Sequence, residues 1–549
     1  MTKKTSWWRA LGSTWAARSL VVSAFIVFLL ARGITKGEPF FHAYDEPRHT
    51  MNGVFFRDAL FDLPVSHPVR YAQEYYSKYP AIAMPHWPPF FPFVEGILFS
   101  VFGISVWASR LAVLGFALLA FYFWYRIAER FGPRSRALVS ALIFCLLPVI
   151  MIYETVVMLE IPQLALCLGA IYFWLRWREN ERQRDLWAFC GFVVAAMLTD
   201  QAAVFLALFL LLDFLLGRRF RLLRSWQPWL ALLASLAFVV PWYLFTMKAL
   251  PHTLQRGAGH NFHHLIRLLP LIYYPLILPF QLGVVLLVLA CIGVTWTLLR
   301  GSHRYRFLLL WILSAYVCFT LIAEKGGRHI FIWLPPLVYF ALIGIEILLP
   351  RGRRVGLAHL VLVLYFVVRG VAFQRPYLRG AEPTARFVLS QPKSDLVYYQ
   401  GMLDADFIFQ VRRFDPQKSH MIVRGLQVGP NAPDFAGSHV SAPDLFRTWG
   451  IQYAVIAHEN SGPAASQVKQ DFKSPDFDLI ASFPIQANYA FTGDDNPDIK
   501  FDPNVGTFDV YRYRGEIERG TWPLSIPLSS IQRSFPVDLR RLAGRPWPN

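Results

Sequence analysis

An adjacent pair of carboxylates, Asp45 and Glu46, stands near the amino end of the chain. Such side chains serve as general bases that take a proton from an attacking hydroxyl group. The structural alternative is a helix cap, because an aspartate just before a first-turn proline is a good capping residue. A cap requires one small polar residue, and the neighbouring Tyr44 and His49 are not needed for it. We therefore interpret Asp45 and Glu46 as catalytic candidates and Tyr44 as a binding candidate.

A second acidic pair, Glu154 and Glu160, lies in a short connection between two apolar runs. Glu160 precedes Pro162 by two residues, so it marks a helix start, where a carboxylate stabilises the helix dipole. An ionisable residue at the edge of a membrane-spanning helix is also a functional candidate. We interpret Glu160 as a catalytic candidate and Glu154 as a substrate-binding one.

Two cations flank a glycine pair in the segment 324–329. Glycine lets a ligand approach the backbone closely, arginine makes forked contacts, and lysine supplies a point charge. The amino end of the next helix adds a positive dipole. The segment therefore predicts a phosphate site with Lys325, Arg328 and His329 as ligands. The alternative is that the two cations contact lipid headgroups.

Histidines supply a weaker candidate site. His260 and His264 could share one helix face and ligate a divalent metal, although histidines in an outer loop are more often solvated or lipid-facing. Arg256 nearby is a further phosphate ligand candidate. His86, before Trp-Pro-Pro, and Asp200, between two short apolar runs, complete the predicted substrate-binding residues.

Arginine-rich connections predict where these candidates lie relative to a membrane. Because Lys and Arg are retained on the cytoplasmic side, the arginine-rich connections are inside and the acidic groups are outside. This topology places the amino terminus inside and the carboxyl terminus outside. The arginine clusters fall within 126–136, 176–184, 218–224, 300–306 and 351–354.

The composition indicates a polytopic α-helical membrane protein. Of the 549 residues, 55% are hydrophobic, and a helical span needs roughly 20 apolar residues. The net charge of +18 comes from arginines at the ends of apolar runs, which argues for topology and against nucleic acid. The five cysteines lie inside apolar runs without metal-ligand spacing. We predict about eleven spans, with a range of about 11–13: 19–35, 107–125, 137–152, 160–177, 186–199, 201–216, 226–247, 271–298, 307–323, 329–349 and 355–372.

The remaining segments fall outside the predicted spans. We assign 1–375 to a membrane domain with a large first outer loop, 36–106. In that loop, 46–61 has apolar residues at helical spacing and is expected to lie along the membrane surface. The apolar stretch 88–102 is read as an interfacial or re-entrant helix, because another span there would invert every later arginine loop.

The composition changes after about residue 376, where apolar runs shorten to strand length and alternate with helical patterns. This predicts an extracytoplasmic α/β domain over 376–520. The residues 521–549 are rich in Pro, Ser and Arg and are expected to be an extended tail. The predicted strands are 396–399, 421–423, 453–457, 479–483 and 508–511, and the predicted helices among them include 404–412 and 442–449.

The order of these motifs resembles the polyprenyl-phosphate-sugar-dependent glycosyltransferases of the GT-C fold. Relatives include protein O-mannosyltransferases and the lipid A aminoarabinose transferase. The resemblance covers about 36–350. It rests on Tyr44-Asp45-Glu46, His86-Trp87-Pro88-Pro89, Ser109-Arg110-Leu111, Met158-Leu159-Glu160-Ile161-Pro162, Leu198-Thr199-Asp200, and Gly327-Arg328-His329 before Leu334-Pro335-Pro336.

The resemblance implies that Asp45 is the base, Glu46 its neighbour and Glu160 the second acidic position. It implies a polyprenyl-phosphate sugar as donor and a lipid, glycan or protein as acceptor. A single in-line displacement on such a donor would invert the anomeric centre. Two family lysines are replaced by Trp87 and Asp200, so the phosphate contacts are expected from Lys325, Arg328, Arg256 or a divalent metal. The absence of an N-x-[ST] sequon favours a bacterial inner membrane.

Two other classes of protein remain open at this point. A transporter or lipid flippase would also have many spans and a broken helix pair, but it would place polar groups near the membrane midplane. A non-catalytic scaffold would present the outer domain to polysaccharide partners. Convergence of Asp45, Glu160 and Arg328 in one outer cavity would favour the enzyme.

Overall fold

A computed structural model describes most of the chain. Statements below refer only to its described residues, which are 15–31, 45–217, 224–249, 268–300, 303–322, 325–349, 352–372, 377–401, 403–425, 441–458, 472–487, 506–517, 523–528, 533–538 and 542–544.

The first part of the chain is helical. Short 3-10 turns occur at Gln201–Val204, His303–Tyr305 and Gly327–Trp333. The α-helices described up to residue 372 are α1 Trp15–Ala31, α2 Glu46–Asp62, α3 Pro68–Lys78, α4 Phe90–Phe102, α5 Val106–Ala128, α6 Arg134–Cys145, α7 Pro148–Tyr153, α8 Glu160–Asn180, α9 Gln183–Met197, α10 Phe205–Leu216, α11 Gln227–Ala249, α12 Leu268–Leu282, α13 Val284–Leu299, α14 Arg306–Leu321, α15 Leu334–Leu348 and α16 Arg353–Ala372.

Strands alternate with helices in the second part. Its elements are β1 Leu378–Arg379, α17 Ala381–Leu389, β2 Leu396–Gln400, α18 Asp404–Phe414, β3 Met421–Arg424, α19 Ala442–Trp449, β4 Tyr453–Ala457, β5 Phe477–Pro484, β6 Gln486–Ala487, β7 Thr507–Tyr513, β8 Pro523–Leu528 and β9 Arg533–Asp538.

Two compact units divide the chain. The first comprises Met1–Thr35, Trp87–Phe91 and Arg110–Arg375, and the second comprises Lys36–His86, Pro92–Ser109 and Pro376–Asn549. Most of the predicted first outer loop therefore groups with the C-terminal region rather than with the membrane helices. Buried ion pairs between that loop and the C-terminal helix α18 account for this grouping, among them Asp58 with Arg412 at 2.7 Å.

The first unit contains helices suited to cross a membrane. Within the ranges described above, five helices are long and apolar enough, and a sixth is obtained if a bent pair is taken as one span. The expected eleven spans are thus not all reproduced as single helices. The qualifying helices are Val106–Ala128, Gln227–Lys248, His303–Leu321, Gly327–Leu348 and Arg353–Ala372.

Two of the predicted spans are broken, and both predictions of a continuous helix were wrong. The run 271–298 bends by 119° between α12 and α13, where Gly283 adopts a φ of +80° that favours glycine. The run 137–152 is interrupted before Pro148, which begins α7 and lacks the N–H that a continuous helix would use. The predicted break near Asp200 is confirmed, since α9 ends at Met197 and a 3-10 turn follows.

Close backbone contact joins helices α13 and α15 in this unit. A Cβ added at Gly344 would lie 2.1 Å from the carbonyl oxygen of Leu289, and one added at Gly293 would lie 2.1 Å from that of Phe340. Small residues that let two backbones approach are typical of helix packing in membranes.

Gly344→Ala is expected to destabilise the first unit by about 1–3 kcal/mol, because the added methyl group must push the two helices apart. Thermal unfolding of the detergent-solubilised protein measures the effect. Gly115→Ala on α5 is the matched control, because nothing lies within 4 Å of its added Cβ. Equal melting temperatures for the two variants would contradict the close packing described here.

Two acidic residues on the membrane helices are engaged in ion pairs. Asp213 accepts hydrogen bonds from Arg178 at 2.7 Å and from the indole of Trp174 at 2.9 Å, and Glu346 pairs with Arg136. Both carboxylates therefore join pairs of helices, Asp213 joining α10 to α8 and Glu346 joining α15 to α6.

A five-stranded mixed sheet forms the centre of the second unit, in the order β3-β2-β4-β7-β5. Strand β2 pairs in parallel with β3 and β4, while β7 is antiparallel to β4 and β5. All five strands predicted from the sequence are present in it. The expected extended tail contains the antiparallel hairpin of β8 and β9.

Helix α2 belongs to the buried part of this unit. The helix predicted over 46–61 is confirmed as Glu46–Asp62, and its expected position along the membrane surface stays a prediction. Polar His49, Asn52 and Asp58 are buried together with apolar Met51 and Val54. Helix α4 has 13 residues, about 20 Å at 1.5 Å per residue, and is shorter than the roughly 30 Å of a bilayer core.

Candidate functional site

The predicted base stands where helix α2 begins. Asp45 occupies the N-cap position and is half-buried, but its side chain makes no capping hydrogen bond. The cap-only interpretation of this residue is therefore wrong. Glu46, the first residue of the helix, is fully buried. Asp45 and Glu46 thus share one helix start, as the sequence predicts, with different exposure.

Glu46 has a second buried carboxylate near it. Asp406 on α18 is buried and accepts a hydrogen bond from Gln410 at 3.3 Å. Burial raises the pKa of Asp406 to about 7, and the charges of Glu46 and Glu382 add to the increase. The amino end of α18 is therefore close enough to the first turn of α2 for their charges to interact.

Asp406→Asn is expected to stabilise the protein at pH 8 but not at pH 4. An acid whose pKa is raised on folding does not lower the free energy of unfolding below its unfolded pKa of about 3.9. Above that value it lowers the free energy of unfolding more and more, until the pH passes the folded pKa. The gain at pH 8 is roughly 4 kcal/mol at about 1.4 kcal/mol per pKa unit. Thermal unfolding of both proteins at the two pH values measures it. Equal gains at both pH values would contradict the raised pKa.

Glu160 and Arg328 meet within the first unit. Glu160 is the first residue of α8, and its Oε1 lies 3.1 Å from Nε of Arg328, which lies in the 3-10 turn before α15. Both side chains keep a small accessible fraction, 11% for Glu160 and 14% for Arg328. A carboxylate thus holds a guanidinium beside the positive end of a helix, an arrangement that suits a phosphate.

Lys325 caps the end of helix α14. Its ammonium group donates to three carbonyl oxygens at the end of helix α14, those of Phe319 at 3.0 Å, Thr320 at 2.7 Å and Ile322. An ammonium group has three donors, so this C-terminal cap occupies all of them. Burial also lowers the pKa of Lys325 to about 8. Arg328 is therefore the better phosphate ligand of the two cations.

The other predicted residues are dispersed. Asp200 caps the 3-10 turn after α9 by accepting a hydrogen bond from the amide of Ala202 at 2.6 Å. Glu154 is buried and lies beside the thiol of Cys145. His329 is half-buried next to Arg328, and His86 is exposed in the second unit.

Four predicted residues lie outside the described ranges, namely Tyr44, Arg256, His260 and His264. Among the residues that are described, no group of three or more His, Cys, Asp or Glu side chains is arranged to hold a metal ion.

A charged cluster that includes Arg48, in the first turn of helix α2, was not predicted from the sequence. Arg48 donates to both carboxylate oxygens of Asp404, at 2.8 and 3.1 Å, and Arg424 donates to the same carboxylate at 2.7 Å. A signal was present, because a cation in the first turn of a helix is disfavoured by the helix dipole. Arg48 in that position requires an anionic partner.

Comparison with known proteins shows the fold. Residues 86–245 match the family model described as dolichyl-phosphate-mannose-protein mannosyltransferase. None of the curated proteins matches the chain significantly. Among solved structures, apo ArnT from Cupriavidus metallidurans has 16% sequence identity and a TM-score of 0.59, with coverage of 86% of this chain and 99% of that chain.

Two further structures are similar. ArnT from Cupriavidus metallidurans bound to undecaprenyl phosphate has 16% identity and a TM-score of 0.58, covering 87% of this chain and 99% of that one. Arabinofuranosyltransferase AftD from Mycobacteria has 16% identity and a TM-score of 0.52, covering 93% of this chain and 42% of that one. The chain therefore has the GT-C fold, and the resemblance predicted from its motifs is confirmed by the family model over 86–245 and by the fold.

Proposed function

We propose that this protein is a multi-pass membrane glycosyltransferase that transfers a sugar from a polyprenyl-phosphate donor to an acceptor hydroxyl outside the cytoplasm. The observation that carries the proposal is the Glu160–Arg328 pair, a cation fixed at the amino end of helix α8. A fixed cation of this kind stabilises a phosphate leaving group without reorganising during the reaction. The fold shared with ArnT, which has been solved bound to undecaprenyl phosphate, supports a lipid phosphate as that group.

The reaction is a single displacement at the anomeric carbon. An acceptor oxygen attacks that carbon, Asp45 takes the hydroxyl proton, and the bond between the carbon and the phosphate oxygen breaks. The bonding electrons leave with the polyprenyl phosphate, and its developing charge is stabilised by Arg328. Attack opposite to the leaving group inverts the anomeric centre. Glu160 orients Arg328 through their ion pair.

The alternative classes differ in what they consume. A flippase or transporter moves a lipid without breaking it, and a scaffold consumes nothing. The purified full-length protein is therefore incubated with a panel of polyprenyl-phosphate sugars and candidate acceptors, with and without a chelator, and free polyprenyl phosphate is measured. We expect release from at least one donor. No release from any donor, with intact donor moved between membrane leaflets, would contradict the proposal.

The assay with a chelator tests separately whether transfer requires a divalent metal. Full activity after chelation is expected if Arg328 alone stabilises the phosphate. Loss of activity that returns on addition of a divalent metal would assign this role to an ion instead, with His260 and His264 as the first candidates for its ligands.

A further inference from the structure

The first turn of helix α2 is fixed by a buried ion pair from the C-terminal region. Arg48 lies three residues after Asp45, which places both on neighbouring positions of the same helix face. Its guanidinium donates to both oxygens of Asp404, the first residue of α18, at 2.8 and 3.1 Å. The Arg48 side chain is 13% exposed and that of Asp404 is 6% exposed. Both bonds come from one nitrogen, Nη2, and a charge-assisted contact of this kind with little exposure to solvent holds the two side chains at a fixed distance.

Asp404 is shared by a second arginine. Arg424, the last residue of strand β3, donates to Asp404 at 2.7 Å and to the hydroxyl of Tyr76 on helix α3 at 3.0 Å. Burial opposes ionisation of Asp404, but the charges of Arg48 and Arg424 outweigh it and lower the pKa of this carboxyl. One ionised carboxylate thus joins helix α2 to the central sheet.

Other ion pairs hold the far end of the same helix. Asp58 pairs with Arg412 at 2.7 Å, and Asp62 pairs with Lys418 at 2.5 Å. Residue 62 is 17 positions from Asp45, about 25 Å at 1.5 Å per residue. These contacts attach the far end of α2 to the C-terminal region, and the contact of Arg48 with Asp404 attaches its first turn to the same region.

We propose that Asp404, together with Arg48 and Arg424, is a positioning cluster that sets the placement of Asp45 for proton transfer. The C-terminal region thereby takes part in catalysis without contacting the substrate. This inference rests on the proposed function, in which Asp45 is the base. A displacement of a reacting group by about 1 Å can lower a rate about 100-fold, so loss of the cluster acts on kcat.

Asp404→Asn in the full-length protein tests the proposal. It keeps the shape of the side chain and removes the charge that both arginines contact. We expect kcat to fall at least tenfold while KM for the lipid donor stays within twofold. Asp62→Asn is the matched control, with the same change in a second ion pair of the same helix, and we expect its kcat to stay within twofold of the wild type. Asp404→Glu, which keeps the charge, should restore part of the lost kcat.

A second readout does not require activity. Hydrogen–deuterium exchange of the amides of His49 and Thr50, the first to close helical hydrogen bonds, should become faster in Asp404→Asn and stay unchanged in Asp62→Asn. If Asp404→Asn does not fold, Arg48→Lys keeps the buried charge and provides the same two measurements.

Several outcomes separate the two proposals. A wild-type kcat in Asp404→Asn, or equal losses in Asp404→Asn and Asp62→Asn, would overturn the positioning role. A wild-type protein that consumes no donor would instead overturn the proposed function. Exchange at His49 and Thr50 would still report whether Asp404 fixes the first turn.

Discussion

Asp45→Asn is expected to lower the rate of sugar transfer by about 10²–10⁴-fold, the usual contribution of a general base. The substitution keeps the size and shape of the side chain and removes its ability to accept the proton. Because the Asp45 side chain makes no capping hydrogen bond, expression, membrane insertion and melting temperature should change little. Transfer to the acceptor by purified protein at saturating donor measures the rate.

Asp62→Asn, at the other end of helix α2, is the matched control for this prediction. It makes the same chemical change far from the proposed base. A wild-type rate in Asp45→Asn would remove this residue from the mechanism. A comparable loss in Asp62→Asn would indicate that disturbance of the helix, rather than loss of the base, lowers the rate.

Arg328→Gln is expected to lower kcat by about 10²–10³-fold, in the range found when one group that stabilises a developing charge is removed. The fixed cation that offsets charge on the departing phosphate is lost, and Glu160 loses its partner as well. Arg328→Lys should recover only part of the rate, because lysine cannot reproduce the forked contacts of a guanidinium. Single-turnover release of polyprenyl phosphate measures the step directly.

Arg369→Gln provides the control for the second prediction. Arg369 is exposed near the end of helix α16, so the substitution removes the same charge from the same unit. Its rate should match that of the wild type. A wild-type rate in Arg328→Gln would mean that another cation stabilises the leaving group.

The C-terminal region was the most predictable part of the fold. The predicted helix 442–449 has the observed bounds, and the strands 453–457 and 396–399 agree within one residue. Short runs of β-branched and aromatic residues bounded by turn residues can be recognised as strands from the local sequence alone. The membrane spans were less predictable, because the composition of an apolar run is the same for a straight helix and for a bent one. The run 271–298, which bends at Gly283, is an example.

In the candidate site, too, features set by neighbouring residues could be predicted, and contacts between residues far apart in the sequence could not. The acidic helix start at Glu160 could be predicted from Pro162 nearby. The predicted topology puts Glu160 and Arg328 on the same side of the membrane, but their ion pair is seen only in the structure. The cluster around Asp404 could not, because Arg48 and Asp404 are separated by 356 residues and no local pattern joins them. The capping role of Lys325 also depends on where helix α14 ends, which hydrophobicity alone does not define.

The most direct test of the proposed chemistry is a single turnover with a donor labelled in both sugar and lipid. We expect each transferred sugar to be matched by one polyprenyl phosphate, the new glycosidic bond to have the inverted anomeric configuration, and Asp45→Asn to form neither product. Retention of configuration, or equal product formation by Asp45→Asn, would contradict a single displacement assisted by Asp45.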